Sequence, residues 1–437
     1  MATTALPAIT PMPPRAPGAL PWIGAGVGLL RDPTAFFRTT RAALGDTFVV
    51  DAFGYRLFAV FSARGVQTLY ALPERDASFG LATYELVMKR KLPLELVMGR
   101  RNRPHDLFGG QEVEDYLEHL EEAVRLQIDE LGPQGSFEAF ALMRRLGHRL
   151  GLSAWAGREA AAAPHLDPLI RHLDVLDQGD SFVRPLSALM VYATGKFRER
   201  RAMRGIEAII GSILRQRRQR GAATGDYLDR IDASFADLPT GEREINVARD
   251  IMLIHMGAQS NLYAALAWTL INLLEHPAVL RRVLDGDDAL LEQCANESIR
   301  MAQRSITLRQ VLRPLDFEDA GATYALTPGV MVTTMLSVTN TTAAPGLASF
   351  DPEHYHGRKL AHHVGVPARE LVSTFGHGRH SCPAQRFSIS AIRISIRRLL
   401  ERYEMEARFH APTPLARQIG GVARASGPCL IAYRPRA

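Results

Sequence analysis

The sequence predicts a mainly α-helical protein with a smaller β region on its N-terminal side. Three observations lead there. Residues 247–276 are one long, mostly apolar run that reads as a single helix. Residues 385–402 repeat apolar side chains at helical spacing. Residues 48–53 and 57–61 are largely β-branched or aromatic and flank Gly54, which is the pattern of a β-hairpin. At 437 residues, length alone favours more than one domain. Yet no linker composition divides the chain between Glu297 and Cys382, and no internal repeat is visible. A single domain over residues 13–437, after a flexible N-terminus over residues 1–12, is therefore expected. The best candidate for an internal boundary is 216–244, where 219–225 has the composition of an exposed loop. A hydrophobic content of 46% suffices for a large core.

The most informative segment is Phe375-Gly376-His377-Gly378-Arg379-His380-Ser381-Cys382-Pro383-Ala384. A lone cysteine is usually a small buried hydrophobe. Cys382 instead lies between a glycine-containing loop and the predicted helix 385–402, the setting of a haem ligand. Ligation requires the thiolate, so the thiol pKa must fall. Arg379, His380 and the N–H groups of the helix N-terminus are the groups expected to lower it. Gly376 and Gly378 permit a tight turn, and Phe375 would shield the sulfur from water.

These residues resemble the cytochrome P450 superfamily, whose signature is Phe-x-x-Gly-x-(Arg/His)-x-Cys-x-(Gly/Ala). Phe375, Gly378, His380, Cys382 and Ala384 match it. Upstream, Glu297-Ser298-Ile299-Arg300 places an acid and a guanidinium three apart on one helix face. Such a pair is worth little alone; its order and distance relative to Cys382 give it meaning. The resemblance implies that the pair is buried and locks the segment before the cysteine loop. Its third partner comes from Pro352-Glu353-His354-Tyr355, where His354 takes the usual arginine's slot and makes the contact titratable. Arg309 falls where the family reaches a haem propionate, a role that suits a bidentate guanidinium. Arg100 is a second propionate candidate, with Leu96 where the family often has Trp. A solvated cation in the basic run 100–103 is the equal alternative. The proline-rich segment from Pro13 agrees, so the resemblance covers nearly the whole chain. It implies the cytochrome P450 fold, a triangular helical prism, and haem b (Fe-protoporphyrin IX) ligated by Cys382.

The predicted helix 247–276 contains Gly257-Ala258-Gln259-Ser260-Asn261 and, further on, Trp268. A glycine inside a helix costs roughly 1 kcal/mol relative to alanine and usually marks a bulge or a close approach. The resemblance implies that this helix crosses the haem and that Gly257 makes room for dioxygen. Most monooxygenases of the family have Gly-x-(Asp/Glu)-Thr here, an acid–alcohol pair that supplies protons. Gln259 cannot titrate; Ser260 keeps a hydroxyl and Asn261 adds an amide. The string looks more like the branch of sterol 7α-hydroxylases and prostacyclin synthase, which contains oxygenases and an isomerase.

Net charge is +6, but the arginines are scattered rather than interleaved with aromatics, which argues against nucleic acid. Arg386, Arg393, Arg397, Arg398 and Arg402 share the helix after Cys382. The resemblance implies that this face receives an acidic electron donor of the ferredoxin or flavodoxin type; a solvated helix face is the alternative. The runs 198–201 and 215–218 are expected to be solvated. Three cysteines do not make a disulfide framework, so a cytoplasmic setting is expected. Cys294 and Cys429 carry no assigned chemistry. The apolar run 18–30 is 13 residues long and broken by Pro21, too short for a membrane span of about 20 residues. No transmembrane anchor or signal peptide is expected, with peripheral docking through Trp22 left open as an alternative, and the protein is expected to be soluble and monomeric.

The leading reading is a haem-thiolate monooxygenase of secondary metabolism. It would insert one oxygen atom into a lipophilic small molecule (sterol, terpenoid or polyketide-like) using electrons from a redox partner. Phe182, Leu189, His255 and Leu262 are candidate pocket residues. A second reading, an isomerase, dehydratase or peroxide-using enzyme that needs no external electrons, stays open because Gln259 replaces the acid. A third, a non-catalytic haem or partner-binding protein, is opposed by the intact Cys382, Glu297 and Arg300.

Overall fold

The computed structural model describes residues 10–18, 21–98, 110–177, 191, 193–221, 224–357, 360–362 and 365–436. Arg100, Phe182 and Leu189 lie outside them. In chain order, α1 (Pro33–Leu44) leads into the hairpin β1 (Thr47–Ala52) and β2 (Tyr55–Val60), then α2 (Ala63–Ala71) and β3 (Ala77–Ser78). Next come α3 (Gly110–Leu131), β4 (Gly135–Glu138), α4 (Ala139–Trp155), α5 (Leu166–Leu176), α6 (Phe197–Arg220), α7 (Tyr227–Ser234), α8 (Thr240–Glu275) and α9 (Asp288–Ala302). Strands β5 (Ile306–Val311), β6 (Leu315–Asp319), β7 (Ala322–Leu326) and β8 (Met331–Met335) follow, then α10 (Leu336–Thr342), α11 (Gln385–Arg402), β9 (Tyr403–Ala407) and β10 (Leu430–Pro435). The chain is 57% helical, as the sequence predicts for a mainly α fold.

Contacts divide the chain into two compact units. The first comprises Met1–Val87, Arg300–Ser381 and Leu415–Ala423. It holds a five-stranded sheet in the order β1-β2-β8-β5-β3 and the hairpin β6-β7. The β1/β2 turn is Phe53-Gly54, with φ of 53° and 80°, the left-handed pair that a tight hairpin needs. Asp32 caps α1 by accepting the Ala35 N–H (2.9 Å), with Pro33 pre-set at the first helical position. Val49, Phe58, Val60, Leu69, Phe317 and Val332 form its core.

The second unit comprises Met88–Ile299, Cys382–Pro414 and Arg424–Ala437. Its small sheet is β4-β10-β9, and its body is helical: α8 packs on α4, α6 and α11, and α3 packs on α4 and α11. At 36 residues α8 runs for about 54 Å. It starts seven residues before the sequence-based start at 247, because its first turns pack against α7 and α6.

The run 215–218 departs from the solvated expectation. Arg217 is buried and donates to Glu159 (2.9 and 2.6 Å), Asp226 (2.8 Å) and Asp229 (2.9 Å). The reason is tertiary: α7 and the segment around Glu159 bring carboxylates to one face of α6. Within 198–201, Glu199 is likewise buried and faces Lys91 at 3.5 Å. Replacing Arg217 by Met should strand buried carboxylates. We expect a loss of about 3–5 kcal/mol of unfolding free energy, measurable by urea denaturation.

Candidate active site

The cysteine loop is built from residues that have little freedom. Gly376 and Gly378 take φ of 82° and 61°, which a side chain would strain, and residues 378–380 (Gly378–His380) form one 3-10 turn. Ala384 is the N-cap of α11, so Cys382 lies immediately before a helix N-terminus, as expected. The thiol is half-buried. Burial pushes its pKa up, and the Ala384 N–H pulls it back. This corrects the expectation that neighbouring cations would lower it: Arg379 is exposed, and desolvation outweighs the one backbone donor.

In the first unit, a chain of hydrogen bonds holds the segment that leads to this loop. Arg300 is fully buried and donates to the carbonyls of Asn340 (2.6 Å), Leu347 (2.8 Å) and Ser349 (3.3 Å). The Asn340 amide pairs with the Ser373 backbone, accepting its N–H at 2.7 Å and donating to its carbonyl at 3.0 Å. Ser373 Oγ then accepts the Gly376 N–H at 2.9 Å. Tyr355 and Thr374 share a 2.7 Å hydroxyl contact, and His377 bonds the Val372 carbonyl at 2.9 Å. Phe375 follows directly and is half-buried. Glu297, in the second unit, is also fully buried, and His354 lies in a short 3-10 helix, Pro352–Tyr355. Sequence reasoning missed Asn340, because an asparagine in a Ser/Thr-rich helix has no spacing that marks it.

Arg309 is 2% exposed on β5. One of its terminal nitrogens donates to the Leu72 carbonyl and to Glu74, both at 3.3 Å, while its Nε is buried without a partner among the described residues. Glu74 is already committed to Ser78, Phe79 and Gly80. A buried guanidinium with unused donors fits an anionic group such as a haem propionate. In the second unit, a half-buried thiol immediately before a helix N-terminus fits a haem ligand.

On α8, Gly257 is exposed, and a Cβ there would meet nothing within 4 Å. The helix is unbroken at this point, so no bulge forms. Gln259 is 2% exposed and its Oε1 is buried without a hydrogen-bond partner among the described residues. Ser260 and Asn261 are half-buried, and Leu262 is buried. His255 is not a pocket residue: it is fully buried, bonded to His148 Nδ1 through Nε2 (2.9 Å) and to the Trp155 indole N–H through Nδ1 (3.1 Å).

The profile of the cytochrome P450 family matches residues 178–431, and the chain belongs to that family. It is therefore a cytochrome P450 oxidoreductase, a monooxygenase, with haem as its cofactor. The chain is 21% identical to the 24-hydroxycholesterol 7-alpha-hydroxylase of Homo sapiens, over 97% of this chain and 94% of that protein. It is 23% identical to the Mus musculus protein of the same name, over 97% and 93%. It is also 23% identical to ent-kaurenoic acid oxidase 1 of Arabidopsis thaliana, over 89% and 85%. The likeness to sterol 7α-hydroxylases that Gln259–Trp268 suggested thus extends along the chain. Among the described residues no helix is long and apolar enough to cross a membrane.

Two expectations follow. Asn340→Ala would leave the buried Ser373 N–H and carbonyl unpaired, costing about 1–3 kcal/mol. Denaturation should show that loss, and haem retention should fall with it. Burial holds both His255, at about 3, and His148 well below the ordinary histidine pKa of about 6.5. The unfolded chain therefore binds more protons, and the stabilisation present above pH ~6.5 is lost as pH falls toward the folded values. Stability should decline by up to about 1.4 kcal/mol per pH unit per histidine. Urea midpoints between pH 7.5 and 5 should show it, with a shallower slope in His255→Gln.

Proposed function

We infer that this chain is a haem-thiolate monooxygenase that inserts one oxygen atom from O2 into a lipophilic small molecule of the sterol or terpenoid type. The carrying observation is Cys382, half-buried in the glycine-bearing loop immediately before α11. The substrate class rests on the names of the similar proteins, a 24-hydroxycholesterol hydroxylase and an ent-kaurenoic acid oxidase.

Bound haem b supplies the oxygen-activating iron, and thiolate ligation favours O–O cleavage. Cys382 would hold it, and the family resemblance gives Phe375 the role of keeping water from the sulfur. Gly378 and His380 shape the turn, and Arg309 offers its unused Nε–H to a propionate. Arg100 is assigned to the second propionate. Glu297, Arg300 and His354 serve as structural support. Gly257 leaves open space on α8. Gln259 cannot donate a titratable proton, but its Oε1, without a partner among the described residues, can accept from a water, and Ser260 and Asn261 can hold that water in place.

Electrons come from a ferredoxin or flavodoxin in the cytoplasm, where Cys294, Cys382 and Cys429, none of them in a disulfide, stay reduced. The steering face on α11 is narrower than the sequence suggested. Arg397 and Arg398 are paired with Asp288 and Glu121, and Arg393 lies 3.8 Å from Glu292. Arg386 and Arg402 are the exposed cations of that set without an acidic partner among the described residues.

Gln259 favours one second reading, turnover of a hydroperoxide or rearrangement of a peroxide without external electrons. Its buried amide oxygen supplies no acid.

The first test is the absorption spectrum of the reduced, carbon-monoxide-bound protein. A red-shifted Soret band of the thiolate type is expected, and Cys382→Ser should abolish it. No haem, or a histidine- or thiol-type spectrum in the unaltered protein, would reject the assignment. Turnover with a hydroperoxide and no reductant separates the two chemistries. The double change Gln259→Asp with Ser260→Thr should raise oxygen-dependent turnover; an unchanged or lower rate would remove the altered relay as the limit.

A further inference from the structure

His148, Trp155 and His255 form a buried polar cluster that the reaction outlined above does not use. Their exposures are 1%, 2% and 0%. The order of donors is fixed by chemistry. An indole N–H can only donate, so His255 Nδ1 accepts it and the His255 proton sits on Nε2. That proton is donated to His148 Nδ1, which puts the His148 proton on Nε2, facing Asp174 at 3.6 Å. Arg144 pairs with the same Asp174. Both imidazoles are neutral, so the chain has one direction and one geometry.

The sequence makes room for this geometry. A Cβ at Gly151 would lie 2.4 Å from the Trp155 ring and 3.1 Å from His255 Cε1. One turn earlier, a Cβ at Gly147 would lie 3.1 Å from Tyr263 Cβ. Helix α4 thus meets α8 along a glycine seam, and the cluster sits in it. His255 and Gln259 are four apart and share a face of α8; both are buried, while Gly257, rotated away, faces open space. The rotation of α8 in this seam therefore decides what Gly257 faces. The other side of Trp155 rests on Phe387, with ring centroids 5.2 Å apart. Phe387 is on the first turn of α11, five residues after Cys382. One indole consequently contacts the oxygen helix through its N–H and the cysteine-bearing helix through its ring.

We propose that His255 and Trp155 are positioning residues for the haem reaction, setting the rotation and register of α8 against α4 and α11. The segment 257–261 then keeps a fixed relation to Cys382. A well-packed apolar cluster could stabilise the seam equally well; a directional hydrogen-bonded one specifies a single register. The proposal rests on the reading that Cys382 ligates haem.

The test uses the full-length, haem-loaded protein with His255→Gln, His255→Phe and Trp155→Phe. Gln can accept the indole N–H through Oε1 and donate to His148 through Nε2; Phe can do neither. The readouts are the infrared stretch of carbon monoxide on the reduced protein, its Soret band, and the thermal midpoint. The expected result is a shifted or split stretch in His255→Phe and Trp155→Phe, with an unshifted stretch in His255→Gln. The Soret band should stay of the thiolate type throughout. An unchanged stretch in both disruptive variants, with only the thermal midpoint lowered, would reduce the cluster to a stabiliser and overturn the proposal. A shift in His255→Gln as large as in His255→Phe would overturn it too, because hydrogen-bond geometry would then not be what matters. If His255→Phe does not fold, Trp155→Phe against His255→Gln decides the question. Absence of a thiolate-type band in the unaltered protein would instead mark failure of the Cys382 reading, and the proposal would fall with it.

Discussion

A guanidinium taken fully out of water has to spend its donors, and Arg300 spends them on backbone carbonyls. Those carbonyls belong to Asn340, Leu347 and Ser349, so one side chain fixes the end of α10 and the segment after it. Asn340 passes the constraint on through its amide to Ser373, and Ser373 passes it to Gly376. Six residues further along the chain is Cys382. The segment that leads to the cysteine is thereby held by a relay of paired polar groups as well as by the packing of Leu371 and Val372. A buried network of this kind is costly when broken, and its register is correspondingly well defined.

The second unit solves a different problem. Helix α8 carries a glycine and a short polar string at one place along about 54 Å of helix. Apolar packing is tolerant of small rotations, whereas the α4 glycines and the His148–His255–Trp155 chain are not. Both ring nitrogens of His255 are paired here, in contrast to Gln259 Oε1 one turn later, which is buried without a partner among the described residues. That contrast separates a ring whose hydrogen bonds are made from an amide oxygen that can still accept one.

Charge behaves similarly. A count of arginines suggests broad cationic surfaces, yet Arg217, Arg397 and Arg398 are occupied by carboxylates brought from other helices. What a partner protein would meet on α11 is set by the cations left after this pairing, such as Arg386, rather than by composition.

The sequence by itself determined the family, the mainly α architecture, the β1/β2 hairpin and the position of Cys382 just ahead of a helix. Each depends on local information: a spaced motif, a helical period, a turn residue. It also marked Glu297 and Arg300, whose burial follows from the fold, and the departure at Gln259. Only the tertiary structure decided that Asn340 links Arg300 to the cysteine loop, because its partners are 40 residues upstream and 33 residues downstream. Only it turned His255 away from a pocket and into the seam with α4, whose His148 lies 107 residues earlier. And only it raised the Cys382 thiol through burial where local charge suggested the opposite. Hydrogen bonds and desolvation depend on what long-range folding brings near a group, and no periodicity along the chain encodes that.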